Sequence, residues 1–158
     1  MTDLVYAGGN NVAGNHLIRC APVVGLLTLP TAGDGVVSGQ PTFLPGYNWV
    51  FLYGTEGTKT YSESCEESDN GDIWTVSAGL FYPGDSAEVR RSLANLKSLL
   101  RFVVDVQDKH GVWRRLGTLT EYFSLEYRFA IGAQIGDRRG YTLTFSGIMT
   151  TCPPILLP

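Results

Sequence analysis

The sequence contains few charged residues. They make up 17% of its 158 residues, where about 25% is usual for a globular protein. The formal net charge is −3, so the chain has no overall basic field, which argues against tight sequence-independent binding of nucleic acid. The deficit is uneven, because residues 1–55 contain only Asp3, Arg19 and Asp34 as charged residues.

Cysteine and long apolar runs are also scarce. The most apolar stretch, residues 17–29, is interrupted by an arginine and a proline and is too short to span a bilayer. Without a basic segment at its start, the sequence predicts a soluble protein with no signal peptide and no membrane partner. The cysteines lie far apart and form no C-x-x-C pair, so we expect reduced, buried thiols in a protein made in the cytosol. They are Cys20, Cys65 and Cys152.

Motifs of enzymes and cofactor sites are missing as well. There is no phosphate-binding G-x-x-x-x-G-K-S/T loop and no G-x-S-x-G nucleophile motif. The two histidines, His16 and His110, have no other plausible metal ligand near them in sequence. We therefore expect no catalytic residues, no metal and no cofactor.

What the sequence has in abundance is glycine, with 19 residues, together with eight prolines. This mixture favours short strands separated by turns over a helical bundle. Residues 58–66 and 72–81 alternate in polarity around Asn70-Gly71. An Asn-Gly dipeptide favours a tight hairpin turn because both residues tolerate positive φ. These two segments therefore predict a hairpin of paired strands.

One helix is predicted at about residues 86–100. Asp85 and Glu88 match a capping box in outline, which places the start of the helix directly after Pro83-Gly84. Arginine and lysine side chains occupy the side opposite the apolar face. The apolar face is predicted to consist of Val89, Leu93, Leu96 and Leu100.

Four further strands are predicted after the helix. Residues 102–107 and 112–117 alternate around a turn at 108–111, and residues 122–129 and 141–145 alternate around a polar loop at 136–140. This order predicts one domain, residues 1–158, that is mainly β. We expect a β-sandwich or partly closed antiparallel barrel with one flanking helix. In the third of these strands the predicted buried face is Phe123, Leu125, Tyr127 and Phe129.

Residues 1–55 form a glycine-rich portion with little charge. Residues 17–29 are interpreted as a strand bent at Pro22 or Gly25, and residues 48–53 as a second, short strand. Residues 31–46 between them are polar and rich in glycine and proline. Contact with another subunit would explain the lack of charge, and a buried N-terminal hairpin explains it almost as well. We expect residues 31–46 to be an assembly arm or loop that becomes protected from hydrogen exchange when subunits meet.

Two charged segments are the candidate functional sites. Residues 63–72 contain five acids and no base, an arrangement compatible with a solvated turn, a surface that does not adhere to polyanions, or a glycosidase carboxylate pair. The acids are Glu63, Glu66, Glu67, Asp69 and Asp72. Seven of the twelve basic residues lie at 90–115. There, Trp113, Arg114 and Arg115 could stack on bases, although we favour a subunit interface, where tryptophan and arginine are enriched.

Several segments between residues 58 and 149 resemble small virion proteins of tailed bacteriophages. The order of strands, helix and strands is similar to tail-tube proteins and to the tube proteins of contractile injection and type VI secretion systems. The segments are Thr60-Tyr-Ser-Glu-Ser-Cys65, Asn70-Gly-Asp-Ile-Trp74, Arg101-Phe-Val-Val-Asp105, Gly111-Val-Trp-Arg-Arg-Leu-Gly117 and Asp137-Arg-Arg-Gly-Tyr-Thr-Leu-Thr-Phe-Ser-Gly147.

The resemblance implies a non-enzymatic virion protein, made in the cytoplasm of a host bacterium, that forms hexameric rings. The rings would stack into a tube for DNA passage, with other tail proteins as partners and no sequence-specific DNA contact. In such a tube we expect the acidic segment, residues 63–72, to face the lumen. A terminator, collar or baseplate ring built on the same fold is an alternative. A carbohydrate- or receptor-binding sandwich that uses Trp49, Trp74 and Trp113 is an alternative, and so is a small hydrolase that uses the acidic segment.

Overall fold

The chain folds mainly into β-strands, as the sequence predicts. The structure is a computed structural model and describes residues 14–134 and 136–157. Two main sheets and a two-stranded ribbon accompany one α-helix. In chain order the strands are β1 (Asn15–Pro22), β2 (Leu26–Thr28), β3 (Val36–Val37), β4 (Thr42–Phe43), β5 (Val50–Leu52), β6 (Thr60–Ser68), β7 (Gly71–Pro83), β8 (Phe102–Asp108), β9 (Trp113–Leu116), β10 (Ser124–Ile131), β11 (Arg139–Met149) and β12 (Ile155–Leu156), and the helix α1 is Ala87–Ser98.

The two main sheets face each other across the core. One sheet has the order β3-β12-β9-β8-β1-β5, and the other has the order β10-β11-β7-β6. All pairs are antiparallel except β12 with β3. Phe102 of the first sheet packs edge-to-face against Phe145 of the second, with 5.6 Å between ring centroids. The arrangement confirms the predicted β-sandwich with a flanking helix.

The predicted hairpin is formed by β6 and β7. Ser68 and Gly71 are the last pair of the ladder, and Gly71 has a φ of 111°. The Ser68 hydroxyl donates to the Gly71 carbonyl at 2.8 Å and closes the turn. Polar turn residues and a positive-φ glycine thus fix the register of both strands, as the Asn-Gly signal indicated.

The helix differs from its prediction at both ends. Ser86 is the N-cap, and its hydroxyl accepts from the Val89 backbone N–H at 3.2 Å. The predicted cap, Asp85, is wrong, because its carboxylate instead binds Arg90 at 2.6 and 2.9 Å. At the other end α1 stops at Ser98. Leu100 takes a φ of 63° and is 67% exposed, so it does not extend the apolar face as predicted.

The predicted buried face of β10 is only half right. Phe123, which pairs with Phe102 just before β10, and Leu125 are fully buried, whereas Tyr127 is 38% exposed. Phe129 is half-buried, with its ring under the guanidinium of Arg90 at 5.5 Å. β10 is an edge strand, and towards Ile131 its inner face meets this basic side chain of α1 in place of an apolar partner.

The N-terminal portion follows the predicted pattern. β1 and β2 are separated by a 3-10 turn at Val23–Gly25, so the bend lies where the sequence placed it. Residues 31–46 contain β3 and β4, which pair with β12 and β2 of the same chain. Their protection on assembly stays a prediction. Residues 1–13 of the N-terminal portion lie outside the described residues.

Candidate assembly surface

The five acids of residues 63–72 lie on the β6–β7 hairpin and are all exposed. We call Glu63, Glu66, Glu67, Asp69 and Asp72 the acidic hairpin. Glu67 and Asp72 are directly opposite each other in the ladder, which places like charges side by side. None of the five forms an ion pair with another described residue. The hairpin is therefore a negatively charged protrusion.

One carboxylate of the acidic hairpin is hydrogen-bonded within the sheet. Among residues 14–134 and 136–157, no group of three His, Cys, Asp or Glu side chains is placed to hold a metal ion. Glu63 accepts a hydrogen bond from the Tyr61 hydroxyl, and burial together with this bond raises the pKa of Tyr61. This hydrogen bond holds the Glu63 carboxylate on the inner side of the sheet, and the other four carboxylates face solvent.

The outward face of the four-stranded sheet carries many hydroxyl groups, a feature that we did not predict, together with the exposed apolar side chains of Ile73 and Ile148. A row of serines crosses all four strands, because Ser62 pairs with Ser77, Ser77 with Ser146, and Ser146 with Ser124. The hydroxyls of Ser62 and Ser77 are 2.8 Å apart. Neighbouring rows add Thr60, Ser64, Thr75, Thr142 and Thr144. We call these nine side chains the hydroxyl face.

The hydroxyl face contains little charge. Strand alternation places only Glu66, Glu126 and Arg128 among the charged strand residues on this side of the sheet. The signal was present in the sequence, since a hydroxyl side chain recurs at every second residue from 60 to 64 and from 142 to 146. We did not identify this face from the sequence because we considered only the apolar residues that alternate with these hydroxyl residues along each strand.

Neither outer strand of the four-stranded sheet has a strand partner along its outer side within the described residues. Among these residues the β6 edge is free of such contacts, whereas on the β10 edge Lys97 of α1 donates to the Leu125 carbonyl and Phe123, just before β10, pairs with Phe102. The two edges are similar in length, at 8 and 9 residues. All pairs inside the sheet are antiparallel, so β6 and β10 run in opposite directions. Open edges of this length are usually covered or paired, because they otherwise cause aggregation.

The predicted interface segment Trp113, Arg114 and Arg115 is divided between two faces. Arg114 binds Asp108 at 2.9 Å on the side of the core, whereas Trp113 and Arg115 lie on the outward face of the six-stranded sheet. Arg115 is only 2% exposed. Trp113 and Arg114 are half-buried, and Arg115 is enclosed by its own subunit.

Arg115 belongs to a buried charge cluster that the sequence did not reveal. Its Nε and Nη2 donate to Asp105 at 2.9 and 3.1 Å, and Arg19 donates to the same carboxylate at 2.8 and 3.1 Å. Arg19 lies between the indoles of Trp49 and Trp113, 4.4 and 4.5 Å from their centroids. Two of the tryptophans proposed for carbohydrate binding are thus occupied within the chain.

A second open edge lies beside the helix. β5 is unpaired on its outer side, and Phe51 and Tyr53 are 60% and 66% exposed. A groove of about 580 Å³ separates β5 from α1 and is lined by Leu52, Val89 and Leu93 among others. This apolar groove is a further candidate for subunit contact.

The cysteines differ from the prediction that all three are buried. Cys20 lies in the core, and burial raises its pKa to about 12. Cys65 and Cys152 are exposed. The alternation of β6 directs the Cys65 side chain to the inner side of the sheet. Cys65 nevertheless lies at the open edge near the hairpin turn, where the opposite sheet does not cover it.

Comparisons with models of protein families, with curated proteins and with solved structures found no match. Within the described residues, no helix is long and apolar enough to cross a membrane. The assignment of function therefore depends on the geometry of the sheets.

Proposed function

We propose that this protein is a virion structural protein of a tailed bacteriophage, a tail-tube subunit that forms stacked hexameric rings through which DNA passes. The observation that supports this most is the four-stranded sheet, with two open edges of similar length and opposite direction. A protein with this sheet can repeat a single contact around a ring.

The contact joins β10 of one copy to β6 of the next. Because these strands run in opposite directions, the joint is antiparallel, like every pair inside the sheet. A head-to-tail contact of this kind makes a ring when the rotation closes. Closure of the sheets into a barrel removes all their open edges. The second sheet and α1 then lie outside the barrel.

The inner wall of this barrel is the hydroxyl face. Hydroxyl groups stay hydrated without attracting or strongly repelling a polyanion, and the acidic hairpin adds negative charge near one end of the wall. Such a surface lets DNA slide without sequence-specific binding. The same ring would also serve a terminator, collar or baseplate protein, with other tail proteins as partners.

The decisive experiment is to observe assembly of the purified chain. We expect sixfold rings or stacks of rings by negative-stain microscopy, and a mass that grows with concentration by light scattering. A strict monomer from micromolar to near-millimolar concentration would contradict the proposal.

A proline on β6 tests the proposed contact. In a hairpin with a two-residue turn, the pair next to the turn exchanges hydrogen bonds, so the N–H of Cys65 points away from β7 to the open edge. We expect Cys65→Pro to block ring formation while the fold is retained, since proline removes a donor that no described strand uses.

Cys65→Ser is the matched control, because it keeps the backbone N–H and should still form rings. Circular dichroism and thermal melts establish that both variants fold. Rings formed equally well by Cys65→Pro and Cys65→Ser would show that the β6 edge is not the contact.

A further inference from the structure

A cavity of about 530 Å³ lies at the end of β9, and Arg115 is among its lining residues. Much of its wall is apolar and includes Leu29, Val37 and Met149. The hydroxyl residues Thr31, Thr118 and Thr151 also line it. Its size is that of a small-molecule site, which typically measures about 300 to 1,000 Å³.

The buried end of this cavity contains an unsatisfied cation. Arg115 lines the cavity, and its Nη1 is buried without a hydrogen-bond partner among the described residues. Nε and Nη2 both bind Asp105, and since a guanidinium is planar, Nη1 is the nitrogen directed away from that carboxylate. A buried charged donor without an acceptor is costly, which indicates that an acceptor enters from the cavity side.

The charge cluster has one positive charge in excess. Among the described residues, Asp105 is the carboxylate that binds both Arg19 and Arg115, and it is fully buried. The indoles of Trp49 and Trp113 stabilise Arg19 by cation–π contact, and the Trp49 ring centroid is also 5.7 Å from the Arg115 guanidinium. The nitrogen of this cluster that lacks an acceptor is Nη1 of Arg115.

We propose that this cavity binds a small monocarboxylate with an apolar body. One carboxylate oxygen accepts from Nη1 of Arg115, and the body of the ligand lies against Leu29, Val37 and Met149. A single negative charge balances the buried excess of the cluster, since Asp34, which also lines the cavity, is exposed to solvent. A phosphate monoester would introduce a second negative charge into a largely apolar wall, next to Asp34, the other charged residue of the lining. The site does not depend on ring formation.

Binding of benzoate to the purified full-length chain tests the proposal. We expect isothermal titration calorimetry to show a saturable site with a Kd of about 1 mM or lower, and benzamide to bind at least about tenfold more weakly. Benzamide has nearly the same shape but no charge, so the difference reports the arginine. Phenyl phosphate should also bind more weakly than benzoate.

Equal binding of benzoate and benzamide would overturn the proposal, since the cavity would then be only an apolar pocket. Absence of saturable benzoate binding up to about 20 mM would overturn it as well. Tighter binding of phenyl phosphate than of benzoate would contradict the monoanion argument.

A cavity-filling variant locates the site. Leu119 lines the cavity and is 41% exposed, so Leu119→Trp should abolish benzoate binding by occupying the space. Ile131→Trp is the matched control, because Ile131 is 65% exposed and does not line the cavity, and it should bind as the unmodified protein does. Undiminished binding by folded Leu119→Trp would place the ligand elsewhere. If this variant does not fold, the comparison of benzoate with benzamide on the unmodified chain decides.

Discussion

The outward faces of the two sheets are constructed in opposite ways. On the six-stranded sheet, Arg19 and Arg115 are joined through Asp105, and the β2–β4 ribbon packs over the neighbouring Ala21 and Val103. On the four-stranded sheet, no strand or helix among residues 14–134 and 136–157 covers the hydroxyl face. One outward face is therefore completed inside the chain, and the other faces solvent.

This difference between the outward faces indicates where each sheet can contact a partner. The six-stranded sheet buries charge, which requires accurate pairing but leaves few free polar groups for another molecule. The four-stranded sheet exposes neutral hydroxyl groups between two open strand edges. We infer that assembly uses the edges of the second sheet, while the covered side of the first serves stability and the cavity at Arg115.

The largest expected effect comes from disrupting the charge cluster on the outward face of the six-stranded sheet. Asp105→Asn removes the carboxylate that holds Arg19 and Arg115, and leaves the buried Arg115 and the partly buried Arg19 without their counter-charge. We expect a loss of about 3 to 5 kcal/mol in the free energy of unfolding, measured by chemical denaturation.

The matched control for Asp105→Asn lies on the open face. Glu126→Gln makes the same change from acid to amide at an exposed position of β10, and should alter stability by less than about 0.5 kcal/mol. Similar effects of the two variants would show that the two faces do not differ as described.

The next effect separates the two sides of β10. Leu125 is 1% exposed, so Leu125→Ala should cost about 2 to 5 kcal/mol in chemical denaturation. The adjacent Ser124 points to the hydroxyl face, and Ser124→Ala should stay within about 0.5 kcal/mol of the unmodified protein. Equal and small effects would mean that the strand does not have one buried side.

A third experiment changes the charge of the open sheet without changing its core. Replacement of Glu66, Glu67 and Asp69 by lysine should leave ring assembly intact and create salt-sensitive DNA binding, because the new cations release counterions from phosphates. Filter binding at several salt concentrations measures this effect. A triple variant that folds but forms no rings would identify these acids as interface residues and contradict a position towards the lumen.

The smallest expected effect concerns the contact between α1 and the four-stranded sheet. The hydrogen bond from Arg90, and then that from the Tyr141 hydroxyl at 2.6 Å, hold the pKa of Asp85 well below its usual range. A carboxyl with a lowered pKa in the folded state adds stability above its unfolded pKa, and this contribution is lost as the pH falls through the folded value.

Unfolding between pH 6 and pH 2 checks this sign, because the ordinary carboxyl pKa of about 4 lies inside that window. The unmodified protein should lose more stability on acidification than Asp85→Asn, and the difference in stability between the two should shrink towards pH 2. Parallel curves would show that Asp85 contributes nothing that depends on pH.

Local features of the fold could be predicted from sequence. The Asn70-Gly71 turn, the alternation of β7 and the apolar spacing of the helix each depend on a few neighbouring residues, and each is present in the structure. The choice of Ser86 over Asp85 as N-cap could not be predicted, because it depends on Arg90 and Tyr141 capturing the aspartate. Likewise, the alternation of β10 directs Tyr127 to the inner side of the sheet, but its exposure depends on which residues of the rest of the protein face it.

The candidate sites show the same division between what local sequence predicts and what the tertiary structure decides. The sequence located the acidic hairpin, since its charges are consecutive in the chain, but it treated Trp113, Arg114 and Arg115 as one surface. Strand alternation and the depth of Asp105 separate these three residues in the folded protein. The hydroxyl face was visible as alternating serine and threonine, although its meaning depends on the four strands being neighbours in the sheet.

By itself, the sequence determined the class of fold, the single helix, the main hairpin and the position of the exposed acids, because turn chemistry and periodicity act over a few residues. Only the tertiary structure decided which strands are edges, which side of each sheet is covered, and which charges meet. Arg19 and Asp105 are separated by 86 positions in the chain, and the antiparallel register of β1 with β8 places them opposite each other. Pairings of this range depend on the arrangement of whole strands, which local sequence patterns do not encode.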